Sequence, residues 1–412
     1  MKSEIYNSLL DHISTFEIID AHEHLMPEAE RIKLHVDVFT LFHHYTQGDL
    51  RSAGMAQDDI QRLHDHSLPL EERWALFEPF YEEIKFGSYA RPAHIAAREF
   101  CGVDEIGAHT CHSISDKLAA NNTEGLYNRL LRQKCHIRKA ICIQRANVSV
   151  PDEILVCLTP MFNFSCPQSW ALLEEWSEAA GIEVNSLDDF LAAMRRTIEI
   201  GMERGDVGLK MKCHPYGDPD RSTAEDVFAR LKDKGELTAN ELYGLWNYTT
   251  DEVLKMAREF DRVVALHAGV WGDFRKLDAT HMIPIIQRHP EVKFDIFHAS
   301  MPYVREVGFM AKNFPNVYLN LCWSHIVSPM MTRATLNEWM DYVPVNKIIA
   351  FGADYGIPVE KVYGHLVMAR ENIAFVLAGR VEEGLMSEEN AVKIARKWFF
   401  SNPGRLYGID TD

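Results

Sequence analysis

The stretch Ile18-Ile19-Asp20-Ala21-His22-Glu23-His24-Leu25 sets two imidazoles two residues apart, directly after an apolar, β-branched run. Side chains alternate along a strand, so His22 and His24 leave one face and Glu23 the other. Two imidazoles on one face can close on a single cation, and imidazole suits zinc and similar metals. In a chain with 19 histidines, a lone His-x-His pair also arises by chance, so the downstream residues decide. Val263-Val264-Ala265-Leu266-His267 and Phe294-Asp295-Ile296-Phe297-His298 each end an apolar run with a histidine. Ile348-Ile349-Ala350-Phe351-Gly352-Ala353-Asp354 ends another with a carboxylate. In the run from Val207 to His214, the even positions carry Lys210, Lys212 and His214, all on one face. Singly, each histidine reads as a satisfied core residue and each lysine as a polar strand end. Together they form a set that could converge as metal ligands must.

Convergence needs a scaffold, and the hydrophobic pattern supplies one. Strand candidates occupy 16–21, 138–143, 154–158, 207–213, 262–267, 292–298, 317–321 and 347–351. Between them lie helical patterns, among them 186–204 with Ser186 and Asp189 as a capping pair, 250–260, 279–288, 303–313, 333–342, 360–378 and 387–400. This βα alternation implies a parallel sheet, and eight units fit an α/β fold of the (β/α)8 TIM barrel type. A single barrel domain over residues 1–412 is expected, with catalytic residues at the C-terminal ends of its strands. No Gly-x-Gly-x-x-Gly follows a strand, which argues against a dinucleotide fold.

Residues 27–135 break the alternation and read as a helical insertion over the barrel mouth. Trp74, Phe77, Phe80, Tyr81, Ile84, Phe86 and Tyr89 give it an aromatic face, enough for a small core of its own. Insertions after barrel strands also tend to shape active sites. His43-His44, His64-Asp65-His66 and Cys111-His112 lie within it. On a helix, His64 and His66 would not share a face, so local pairing or solvation is expected there.

The composition narrows the partners. With 47% hydrophobic residues the chain can bury a large core, and a net charge of −17 argues against nucleic acid and anionic membranes. No apolar run approaches the ~18 residues of a membrane span. Residues 1–13 read as an amphipathic helix rather than a signal sequence. Eight cysteines without a CxxC pair suit buried, reduced thiols in a cytoplasmic protein. A small-molecule substrate and further copies of the same chain are the expected partners.

The order of these residues, His-x-His, Lys, His, His, Asp on successive strands, resembles the amidohydrolase superfamily of metal-dependent barrels. Leu266-His267-Ala268-Gly269 and Phe297-His298-Ala299-Ser300-Met301-Pro302-Tyr303 resemble its amidohydrolase-related branch. They are similar to the amidohydrolase-like domain fused to glutamine-synthetase-like proteins in fungi and plants. The large insertion after strand one resembles that of the uronate isomerases, members that hydrolyse nothing.

The resemblance implies a metal held by His22, His24, His267 and Asp354, with a position left for water. Asp354 would be the general base, and His298 would polarise the substrate carbonyl. Lys210 is ambiguous, because in binuclear members the matching lysine is carboxylated and bridges two ions. The branch is mostly mononuclear, so one divalent ion is expected, zinc before manganese, with a second left open. The implied function is a hydrolase that activates water to cleave a C–N or C–O bond of a small polar substrate. The alternative is a non-hydrolytic decarboxylase or uronate isomerase-like enzyme. Trp271, Trp323, Ser324, His325 and Tyr355 stand at the mouth as weaker substrate-contact candidates. Arg305 is better explained as a helix-surface ion pair than as a substrate contact.

Overall fold

A computed structural model describes residues 3–143, 153–161, 166–270 and 272–410. Eight parallel strands follow one another in sequence order, each hydrogen-bonded to the next. They are β1 (Ile18–Glu23), β2 (Ile137–Ile143), β3 (Leu155–Pro160), β4 (Gly208–Lys212), β5 (Val263–His267), β6 (Phe294–Ile296), β7 (Val317–Asn320) and β8 (Ile348–Ile349). Backbone hydrogen bonds from Ala21 to Phe351, from Asp354 to His22 and from His24 to Tyr355 close the ring between β1 and the segment after β8. The result is a (β/α)8 TIM barrel.

Alternation along each strand divides the core. On β5, Val263 and Ala265 face the barrel interior with Ile19, Ala21, Ile349 and Tyr407, while Val264 and Leu266 face the surrounding helices. The same period points Leu209 and Met211 of β4 outward and Lys210 inward. Helix Leu187–Arg204 starts at the Ser186/Asp189 capping box and ends at Gly205, whose φ of 92° only glycine adopts readily. Helix Ala239–Glu259 begins well before the predicted 250, because Thr238 and Glu241 form a second capping box. β6 and β8 are shorter than predicted. For β6 the reason is that His298, Ala299 and Ser300 have φ of 61°, 52° and 50°, which no extended ladder accommodates.

The segment between β1 and β2 carries helices Leu70–Ile84, Arg91–Cys101 and Cys111–Asn121 and the 3-10 turn Val38–Phe42. Phe39, Phe42, Trp74, Phe77 and Tyr81 pack there into a cluster separate from the barrel's own. Helix Arg91–Cys101 lies on helix Glu360–Glu382, and the approach is close at Gly364. A Cβ there would stand 2.3 Å from the Pro92 carbonyl oxygen. Gly364→Ala is therefore expected to force the two helices apart at a cost of about 1–3 kcal/mol, read as a lower urea midpoint with an unchanged m-value. A midpoint at the wild-type value would contradict the packing argument.

All eight cysteines are buried and free of disulfides. Among the described residues no helix is long and apolar enough to cross a membrane.

Candidate metal centre

His22 and His24 leave β1 on one face, and Asp354 leaves the turn after β8 beside them. One Asp354 oxygen, Oδ1, lies 3.3 Å from His22 Nε2 and 3.2 Å from His24 Nε2. One ligand atom from each residue falls within 4.8 Å of the others. His22 and Asp354 are fully buried, while His24 opens to the cavity. Burial, with the Lys210 charge nearby, holds the His22 imidazole well below its usual pKa. Burial also works against the Asp354 charge, but the facing imidazoles of His22 and His24 outweigh it, and the carboxyl sits well below the usual range. A carboxylate beside a neutral imidazole is the protonation state that a divalent cation requires. Two imidazole nitrogens and one carboxylate oxygen are a donor set that would suit a divalent cation.

A buried acid pair stands behind this set. Asp20 Oδ1 accepts the backbone N–H groups of His22 (3.3 Å) and Ala353 (3.2 Å), and Glu23 Oε2 accepts that of Tyr355 (2.7 Å). Burial raises Glu23 well above its usual value and Asp20 to about 7. The pair pins β1 to the residues on both sides of Asp354, which fixes the ligands from behind.

His267 is not part of the three-residue group. Its Nδ1 lies 3.0 Å from His298 Nε2, and His298 Nδ1 lies 3.2 Å from the Cys322 carbonyl. A carbonyl only accepts, so His298 carries its hydrogen on Nδ1 and its Nε2 accepts from His267 Nδ1–H. That leaves a lone pair on His267 Nε2, as a ligand or proton acceptor needs. Burial pushes His298 down to about 4 and His267 well below its usual value. His298 Nδ1 is 3.8 Å from Asp354 Oδ2, beyond hydrogen-bond distance. His267, Lys210 and Lys212 line the same cavity of about 290 Å³ as His22, His24 and Asp354.

The insertion supplies two lining residues that the sequence reading passed over, His44 and Tyr45. Neither belongs to a periodic pattern; the only signal was the His43-His44-Tyr45 run itself. Tyr45 stacks on Trp323 at 4.1 Å, and burial and the facing Asp354 charge raise its phenol. Trp323 also sits edge-on to His298 at 5.4 Å, with an unusual φ of 62°. Tyr355 and Ser324 are fully buried. Arg305 pairs with Glu338 on the helix surface at 2.7 Å, as expected. His64 meets Gln47 and His66 meets Asp37, away from the three ligands. His214 hydrogen-bonds to Pro215 and Thr250 and does not line the cavity. Trp271 lies outside the described residues.

His325 is wholly buried, with Nε2 2.8 Å from the Ala350 carbonyl and Nδ1 facing Asn372. Burial pushes it down to about 4 from the usual 6.5. The unfolded chain therefore takes up a proton that the folded chain refuses. The stability is complete above pH 6.5 and is lost as pH falls toward 4, by up to about 3 kcal/mol for this one group. His325→Gln is expected to flatten the pH dependence of the urea midpoint in that window. An unchanged slope would contradict it.

Comparison with known proteins agrees with this geometry. Residues 171–409, more than half of the chain, match the amidohydrolase family. Protein fluG of Emericella nidulans is 30% identical over 171 residues, which span 39% of this chain and 19% of that protein. Among solved structures, a uronate isomerase from Thermotoga maritima superposes with a TM-score of 0.84 at 16% identity, covering 99% of this chain and 98% of that one. A glucuronate isomerase from Caulobacter crescentus gives 0.81 at 18% identity, covering 99% and 94%. A uronate isomerase from Bacillus halodurans gives 0.76 at 15% identity, covering 100% and 98%.

Proposed function

The chain belongs to the amidohydrolase family, and from that premise we propose that it is a metal-dependent hydrolase of a C–N or C–O bond in a small polar substrate. One observation carries the reading: His22, His24 and Asp354 converge at the mouth of the barrel, on the wall of a cavity of about 290 Å³. One divalent ion, zinc before manganese, would be held by these three residues, with His267 Nε2 as a further donor. Bound there, it would supply Lewis acidity, polarising a carbonyl and acidifying water.

The residues of the chain would do the rest. Asp354 takes the proton from the attacking water and returns it to the departing nitrogen or oxygen. His298, held by the Cys322 carbonyl, keeps His267 oriented through the hydrogen bond between the two rings. Asp20 and Glu23 hold the backbone on either side. The insertion, through His44 and Tyr45, narrows the cavity and limits bulk water. Metal analysis of the purified protein, followed by a screen of amides, lactones, carboxylic acids and uronates, tests the reading. Less than about 0.1 metal per chain, with turnover unchanged in chelator, would refute it.

A second reading, uronate isomerisation, is favoured by the extent of the fold likeness. It covers nearly all of both chains, including the segment that brings His44 and Tyr45 to the cavity. Asp354 would then move a proton from the carbon beside a carbonyl to the carbonyl carbon, consuming no water. Isotopes separate the two readings. Oxygen-18 from labelled water enters the product of hydrolysis, whereas isomerisation in heavy water leaves deuterium on carbon.

A further inference from the structure

One charged group on the cavity wall has no part in holding a cation. Lys210 is 4% exposed, and its Nζ stands 3.5 Å from the centroid of the Phe297 ring. Among the described residues nothing accepts a hydrogen bond from it. An ammonium taken out of water without partners costs several kcal/mol, a cost that an arriving anion would offset. Lys212, two residues along β4 and on the same face, lines the same cavity. Asp354 is the one carboxylate lining it among the described residues, and His22 and His24 already face its charge. The cavity wall therefore holds two amines, and Lys210 is hydrogen-bonded to no anion among the described residues.

Carboxylation of Lys210 would satisfy the amine in another way, but its surroundings oppose that. The face of an aromatic ring attracts a cation and repels an anion. Burial lowers the Lys210 amine to about 8, which still leaves it mostly an ammonium at neutral pH, and the nearby Asp354 and Asp295 carboxylates oppose the added negative charge of a carbamate.

We propose, building on the reading of the cavity as a metal-dependent active site, that the substrate is an organic acid whose carboxylate is seated on Lys210, with Lys212 beside it. Same-face residues of a strand lie about 6.5–7 Å apart. The two amines can thus grip a carboxylate and a neighbouring hydroxyl or carbonyl, with the reacting carbon turned toward His22, His24 and Asp354. A cavity of about 290 Å³ admits an acid of modest size. Lys210 then determines specificity, and a neutral analogue leaves its ammonium unpaired.

The test is calorimetric binding to the chelator-treated full-length protein, so that the acids cannot simply chelate bound metal. D-Glucuronate, N-acetylglycine and benzoate are each compared with a neutral ester or amide, and inorganic phosphate is run beside them. At least one acid should bind tenfold or more tightly than its neutral partner. Lys210→Met should abolish that preference, and Lys212→Met should reduce it by a smaller factor. Both variants should keep the wild-type Tm and, after zinc loading, the wild-type zinc content. The proposal is overturned if no acid outbinds its neutral partner, if Lys210→Met keeps the preference, or if phosphate binds more tightly than every carboxylate. A carbamate carbon signal after incubation with carbon-13 bicarbonate would also overturn it. Failure to retain zinc with the acid preference intact would sink the metal reading and leave this one standing. Zinc-dependent turnover of neutral amides, unaffected by Lys210→Met, would do the reverse.

Discussion

Asp354→Asn is expected to leave the protein folded while bound metal falls from near one equivalent to below about 0.1 and turnover drops by about 10³-fold or more. The substitution keeps the size of the side chain and removes its charge. It also respects the backbone: φ at this position is 64°, a conformation that asparagine tolerates and that alanine would strain. The hydrogen bonds from the Asp354 N–H to the His22 carbonyl and from the Tyr355 N–H to the Glu23 carboxylate do not involve the Asp354 carboxylate, so the turn after β8 should persist. What disappears is the anion facing His22 and His24, together with the group assigned to move the proton. Elemental analysis, circular dichroism and a turnover assay on the same preparation check the three parts. Metal retained near one equivalent with turnover within tenfold of wild type would remove Asp354 from the centre of the site.

Much of this site was legible because barrels report their chemistry at strand ends. Apolar runs closed by His267, His298 and Asp354, and the pair His22 and His24, needed only the period of two to be placed. The residues that were not legible fall into two kinds. His44 and Tyr45 enter through tertiary docking of a segment that has its own core, and no local pattern says which of its turns faces the cavity. Asp20 and Glu23 lie on the same strand, where a sequence shows two acids but not the backbone N–H groups of Ala353 and Tyr355 across the barrel seam that they bind. The early end of β6 belongs to this second kind. The left-handed turn at His298 bends this side chain inward, although it looked like the continuation of a strand. The family match starts at residue 171, beyond β3, so the roles of His22 and His24 rest on their geometry.

Glu360→Ala should be among the most destabilising single changes in the chain, at about 3–5 kcal/mol. Glu360 is 3% exposed and Arg31 is 0% exposed, and the Arg31 Nη2 lies 3.1 Å from each carboxylate oxygen. Removing the acid leaves a guanidinium in the interior with nothing to balance it, which costs more than the pair itself contributes. Arg31 also donates to the Ile357 carbonyl at 2.7 Å and to Asn122 Oδ1 at 2.6 Å. One side chain thus joins the start of the insertion, its far end and the loop that follows Asp354. The next residue, Lys361, donates to Thr46 Oγ1 at 3.0 Å, directly beside the turn that carries His44 and Tyr45. Loss of the Arg31–Glu360 pair should therefore loosen the insertion from the barrel and lower turnover as well as the urea midpoint. Replacing both partners with apolar residues, Arg31→Met with Glu360→Leu, should recover most of the stability, because no charge is left buried. It should recover less of the turnover, because the bonds to Ile357 and Asn122 are not remade. A midpoint for Glu360→Ala within about 0.5 kcal/mol of wild type would show that the insertion is held on the barrel by its apolar contacts alone.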